Sequence, residues 1–78
     1  MARIDPKQIK KLDKDRNIVH NRVDATYSVF TIDGNQYVQI DTYGNSDRAM
    51  PEKISQSFQL DHESAKFLCD LLRRVFNL

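Results

Sequence analysis

The sequence predicts an α+β domain: a short N-terminal helix, a three- to four-stranded antiparallel β-meander, and a C-terminal amphipathic helix packed on the sheet. Three observations carry that prediction. The segments Tyr37-Val38-Gln39-Ile40-Asp41-Thr42-Tyr43 and Ile54-Ser55-Gln56-Ser57-Phe58-Gln59-Leu60 alternate between apolar and polar residues, the period of a half-buried strand. Asp33-Gly34 stands between the first of these and an upstream β-prone run from Val23 to Ile32, and an Asp-Gly pair suits a two-residue hairpin loop because both positions accept positive φ. The chain then changes period after Asp61, where apolar residues recur at helical spacing.

At the N-terminus, Asp5-Pro6 reads as a helix cap followed by proline at the first helical position, predicting a helix from about Pro6 to Leu12 with Ile9 and Leu12 turned inward. Asn17 to Arg22 is a polar connector, with Ile18 and Val19 expected beneath the sheet. Residues 1–22 thus form a basic helix and connector, and residues 23–78 a sheet-plus-helix unit, within a single domain.

Folding the hairpin about Asp33-Gly34 fixes a register. With Ile32 opposite Asn35, Val29 meets Val38, Tyr27 meets Ile40 and Ala25 meets Thr42 on one face; Phe30 meets Tyr37, Ser28 meets Gln39 and Thr26 meets Asp41 on the other. A slip of one residue would destroy this agreement between the strands. The residues from Gly44 to Lys53 form a loop, Ile54 to Leu60 the third strand, and Asp61 caps a helix running to about Phe76. At about 100° per residue, the apolar residues of that helix, among them Phe67, Leu68, Leu71 and Val75, fill an arc of about 200°. One sheet needs a stripe of only a little over 100°, so the surplus points to a second contact: the same helix of another subunit in a homodimer, or the N-terminal helix and connector.

Composition restricts the function classes. A domain of 78 residues buries a modest core and gains from association. Its one cysteine, Cys69, permits neither an internal disulfide nor a zinc framework. With no apolar leader pattern after Met1 and no run of membrane-spanning length, the expectation is a cytoplasmic protein without membrane contact. Charge is uneven: Met1 to Arg22 carries seven basic and three acidic residues, whereas Val23 to Asp61 carries two basic and six acidic. A basic arm suits phosphates, although a lysine-rich short helix is commonly a solvated face.

Catalytic constellations fail on geometry. His62 and Cys69 on one helix stand about 10 Å apart along its axis, too far to share a proton. His20, His62 and Cys69 lack metal-ligand spacing. Gly34 and Gly44 are turn residues rather than a phosphate loop. No catalytic residue, metal ligand or cofactor is expected, and Cys69, inside the apolar arc, is expected to be a buried thiol.

The polar sheet face is the functional candidate. Phe30, Tyr37 and Tyr43 interleave with Ser28, Gln39, Ser55, Ser57 and Gln59, residue types that stack bases and hydrogen-bond their edges. Lys53, Arg48, Lys10 and Lys11 are the candidate phosphate contacts. Tyrosine-rich polar surfaces also serve protein interfaces, so an adaptor or inhibitor that uses this face or the 44–53 loop is the alternative, and an ordinary solvated face is the bland one.

Residues 37–43, the loop, and Ser57-Phe58-Gln59-Leu60-Asp61-His62-Glu63-Ser64-Ala65 together resemble the strand, strand and helix-start pattern of the transcriptional positive cofactor 4 family. The likeness spans about residues 24 to 76. It implies a small homodimer that binds single-stranded DNA through its sheet and pairs through its helix, with Phe67, Leu68, Leu71 and Val75 at the interface. This sequence departs from the family at Asp41, where a basic residue is usual, and in the approach to the next strand, where Lys53 alone remains before Ser55 and Gln56. The segment Gln39 to Gly44 with Ser55-Gln56 is also similar to short uncharacterised bacterial proteins.

Overall fold

Five elements build the protein in the computed structural model, which describes residues 1–44 and 53–78. They are β1 (Ala2–Arg3), β2 (Ala25–Ile32), β3 (Asn35–Tyr43), β4 (Ile54–Leu60) and α1 (His62–Phe76). The strands form one mixed sheet in the order β1-β4-β3-β2. Asp33 at φ 53° and Gly34 at φ 80° make the tight turn between β2 and β3, the left-handed pair that matches strand twist in a two-residue hairpin.

Pairing of β2 with β3 follows the register set by that turn, from Ile32 opposite Asn35 through Val29 opposite Val38 to Ala25 opposite Thr42. Strand β4 lies antiparallel on the other side of β3, with Leu60 opposite Val38 and Phe58 opposite Ile40. Thr42 pairs with Gln56 and Tyr43 with Ile54, so Ser55 is an extra residue on β4, a bulge of the kind that bends and twists a strand. One face therefore gathers Tyr27, Val29, Val38, Ile40, Phe58 and Leu60, and the other Phe30, Tyr37, Gln39, Asp41, Ser57 and Gln59.

Expectations about the N-terminal part of the architecture are overturned. The sheet is not a pure antiparallel meander, because β1 adds to β4 in parallel, Ala2 opposite Phe58 and Arg3 opposite Gln59, and Ile4 N–H donates to the Gln59 carbonyl at 3.0 Å. Nor is there an N-terminal helix. Asp5 does cap a turn, its Oδ1 accepting from Lys7 N–H at 2.9 Å and its carbonyl from Gln8 N–H at 3.0 Å, but the chain leaves the turn after Gln8. Nucleating a helix is costly and short helices need an apolar face to pack. Here Ile9 is only half-covered and Leu12 is 72% exposed, so nothing rewards further turns. Ile18 and Val19, expected beneath the sheet, are exposed as well.

Helix α1 is specified sharply at both ends. Asp61 Oδ1 accepts from Ser64 N–H at 3.0 Å while Ser64 Oγ accepts from Asp61 N–H at 2.9 Å, a reciprocal capping box. Asn77 closes the other end in the left-handed region at φ 57°. Contrary to the expected packing on the sheet, the helix meets it chiefly at β4: Leu68 and Leu71 are half-buried, Phe67, Leu72, Val75 and Phe76 exposed. Cys69 is exposed too, not the buried thiol expected.

Among the described residues no apolar side chain is fully buried; the single buried residue is Ser64. The chain exposes 7378 Å², about 2,500 Å² more than the roughly 4,900 Å² of a compact monomer of its mass. Its radius of gyration, 14.8 Å, likewise exceeds the roughly 11.5 Å of a compact domain of this length.

Candidate functional site

On the polar face, β3 supplies Tyr37, Gln39, Asp41 and Tyr43 at alternate positions, β2 supplies Phe30 and Thr26, and β4 supplies Ser57 and Gln59. Cross-strand pairing sets Phe30 beside Tyr37, and their rings stack with centroids 5.4 Å apart and planes inclined at 23°. The short parallel strand β1 then places Arg3 on the same face as its partner Gln59. The Arg3 guanidinium lies over the Tyr37 ring, 5.8 Å from its centroid, within the range of cation–π attraction. Tyr37 is thus engaged by both a ring and a cation. Arg3, Phe30, Ile32, Tyr37 and Gln59 line a shallow depression of about 300 Å³.

Beside this cluster runs a hydrogen-bonded ladder. Gln59 Nε2 donates to Gln39 Oε1 at 2.8 Å, Gln39 Nε2 donates to Asp41 Oδ1 at 3.0 Å, and Ser57 Oγ donates to the same Asp41 oxygen. Gln39 thus accepts from Gln59 and donates to Asp41, which sets the orientation of its amide in the row. At the far end of β3, Tyr43 Oη and Thr26 Oγ1 are 3.0 Å apart.

Beyond the sheet face, the Asp61 carboxyl is held below the usual carboxylate range, first by the Ser64 backbone N–H, then by the Ser64 hydroxyl, with a smaller contribution from the Arg3 charge. Asp61 and Glu63 border the Arg3 turn together with Ile4, Asp5, Pro6 and Lys7. This cap holds a helix end and carries no reactive geometry.

Of the residues singled out from sequence, Phe30, Tyr37, Gln39 and Tyr43 share one face. Lys53 is exposed just before β4, and Lys10 and Lys11 are exposed on a stretch without regular structure rather than on the expected helix. Arg48 lies outside the described residues, as does most of the 44–53 loop. Arg3 is the residue that sequence reasoning missed. A two-residue strand shows no periodicity, and the one available signal was the unpaired outer edge of β4.

Among the described residues, no group of three or more His, Cys, Asp or Glu side chains is arranged to hold a metal ion. No helix among them is long and apolar enough to cross a membrane. No family model matches the chain, and neither the curated proteins nor the solved structures offer a significant match.

Proposed function

We propose that this chain is a non-enzymatic binding module that works as a homodimer and takes single-stranded nucleic acid on the polar face of its sheet. The observation that carries the reading is the Tyr37 ring, half-buried on the polar face and flanked there by Phe30 and by the Arg3 guanidinium. Aromatic rings, a cation and oriented amides are what splayed bases and their backbone engage. The likeness of residues 24 to 76 to the transcriptional positive cofactor 4 family supports the same reading. The exposed Cys69 fits a reducing compartment, and the cytoplasm is its proposed location.

Assembly is supported by what one chain leaves uncovered. Helix α1 and the apolar sheet face have no fully buried apolar side chain between them, and a domain in that state realises only part of the main stabilising term of folding. A second copy supplies the cover, with Phe67, Leu68, Leu71 and Val75 as the helix contribution.

One observation favours a second reading. Asp41 puts a carboxylate in the middle of the face, where phosphates would be repelled, and its hydrogen bonds to Ser57 and Gln39 hold it there. A protein partner that presents a cation or amide suits that position, and an adaptor or inhibitor would use it.

Fluorescence anisotropy with labelled single- and double-stranded oligonucleotides over a salt series tests the proposal. Preferential binding of the single strand with a clear salt slope is the expected result. Binding that remains in the weak non-specific range for both strands would favour the protein-partner reading.

A further inference from the structure

The two edges of the sheet are unlike. On the β1 side the edge is two residues long, contains Arg3 and is ended by Asp5-Pro6, devices that discourage further pairing. Strand β2 at the opposite edge runs for eight residues, Ala-Thr-Tyr-Ser-Val-Phe-Thr-Ile, with neither a charge nor a proline. No strand among the described residues covers its outer side.

The phase of the hairpin shows which backbone groups that edge presents. The pair closing a two-residue loop, Ile32 and Asn35, exchanges hydrogen bonds, and hydrogen-bonded pairs then alternate along the ladder. Tyr43 N–H donating to the Asp24 carbonyl at 2.9 Å keeps the same phase at the other end. Ala25, Tyr27, Val29 and Thr31 therefore turn their N–H and C=O groups outward. Tyr27 and Val29 also carry apolar side chains that are 77% and 60% exposed.

We propose that this edge pairs antiparallel with the same edge of a second copy about a two-fold axis at Ser28, joining two four-stranded sheets into one of eight strands. The inference rests on the homodimer reading above and names its seam. Outward groups must face outward groups, so odd-numbered residues oppose odd-numbered ones. In this register Tyr27 lies opposite the partner subunit's Val29 and Ala25 opposite the partner subunit's Thr31. Moving the axis to Val29 retains as much overlap but sets Tyr27 against a threonine and loses the aromatic–β-branched pair. A second copy is the fitting occupant because the edge is self-complementary: it is uncharged, and Tyr27 and Val29, the two large apolar residues among those whose backbone groups turn outward, stand symmetrically about Ser28.

Paired across the axis, the two Ser28 residues form a non-hydrogen-bonded pair whose Cα separation, about 4.5 Å, suits a disulfide. Ser28→Cys in a Cys69→Ser background should oxidise to a covalent dimer, while Val29→Cys in the same background should not. Val29→Pro removes an outward N–H without touching the β2–β3 ladder, and sedimentation equilibrium should show the dimer dissociation constant raised roughly tenfold or more, since the lost bond occurs twice in the dimer. A parent dimer that Leu71→Glu splits, but that neither cross-links through Ser28→Cys nor weakens with Val29→Pro, overturns the seam and leaves the homodimer standing. A parent that sediments as a monomer up to high micromolar concentration overturns both.

Discussion

Ser57 donates its hydroxyl hydrogen across the β3–β4 pair to the carboxylate of Asp41, its direct cross-strand partner. Gln39, two residues away on the same face, donates to the same oxygen. The acid at this position is therefore an organising acceptor for its neighbours and also a source of repulsion for any phosphate.

These two roles separate on substitution. Asp41→Ala should lower stability by about 1 kcal/mol, because Ser57 and Gln39 lose a charged acceptor but retain access to water; urea denaturation measures it. Asp41→Lys should bind single-stranded oligonucleotide more tightly and steepen the salt slope by about one unit. Unchanged affinity would mean that this face meets no backbone.

Arg3 and Tyr37 should fail in different ways. Stacking contributes about 1–3 kcal/mol per base, so Tyr37→Ala should weaken oligonucleotide binding at every salt concentration. Removing the guanidinium in Arg3→Ala should instead reduce the salt slope by about one. Anisotropy titrations at several salt concentrations distinguish the two, and equal effects on slope would deny Tyr37 a stacking role.

Leu71 is half-buried in the single chain, on a helix whose neighbouring apolar residues are exposed. Leu71→Glu should give monomers or insoluble protein, since an assembled interface would bury an unpaired carboxylate. For the parent, the thermal midpoint should rise with protein concentration. A midpoint independent of concentration, together with a soluble and stable Leu71→Glu variant, would refute an interface on this helix.

Capping by Asp61 carries a pH signature. Its carboxyl is held below the usual range by Ser64, so its contribution to helix stability is complete above the ordinary carboxylate range and is lost as pH falls through the lowered value. Asp61→Asn still accepts from Ser64 N–H but does not titrate. The helical circular-dichroism signal of the parent should therefore fall relative to Asp61→Asn as the solution is acidified below that range. Parallel curves would show that the cap contributes no pH dependence.

The hairpin was legible because Asp33-Gly34 fixes the phase and the alternation on either side agrees with it, so Phe30 beside Tyr37 followed from counting outward from the turn. The helix start was legible because Asp61 interrupts a strand period and opens a helical one. Other parts depend on nonlocal cover that no local pattern encodes. Asp5-Pro6 signals the start of a turn, but whether a helix continues is decided by what Ile9 and Leu12 can pack against, and Leu12 finds nothing. Similarly, the wide apolar arc of α1 is plain in the sequence while its destination is not, and the helix meets its own sheet chiefly at β4, with only part of the arc covered. For the site, the sheet residues were found and Arg3 was not, since its place depends on a pairing with Gln59 far along the chain.

That pairing has a bearing on how the protein is made. Ala2 and Arg3 leave the ribosome well before Phe58 and Gln59, the residues they pair with, and the rest of the sheet emerges in between. Closing so long a loop for two residues of ladder is entropically poor until β4 is already seated on β3. Attachment of the N-terminal segment is therefore a late step in folding, and the guanidinium beside Tyr37 arrives on a surface whose other side chains are already in position. A nascent or partly folded chain would display the aromatic pair of Phe30 and Tyr37 without its cation, so maturation of the protein and completion of its candidate site are the same event.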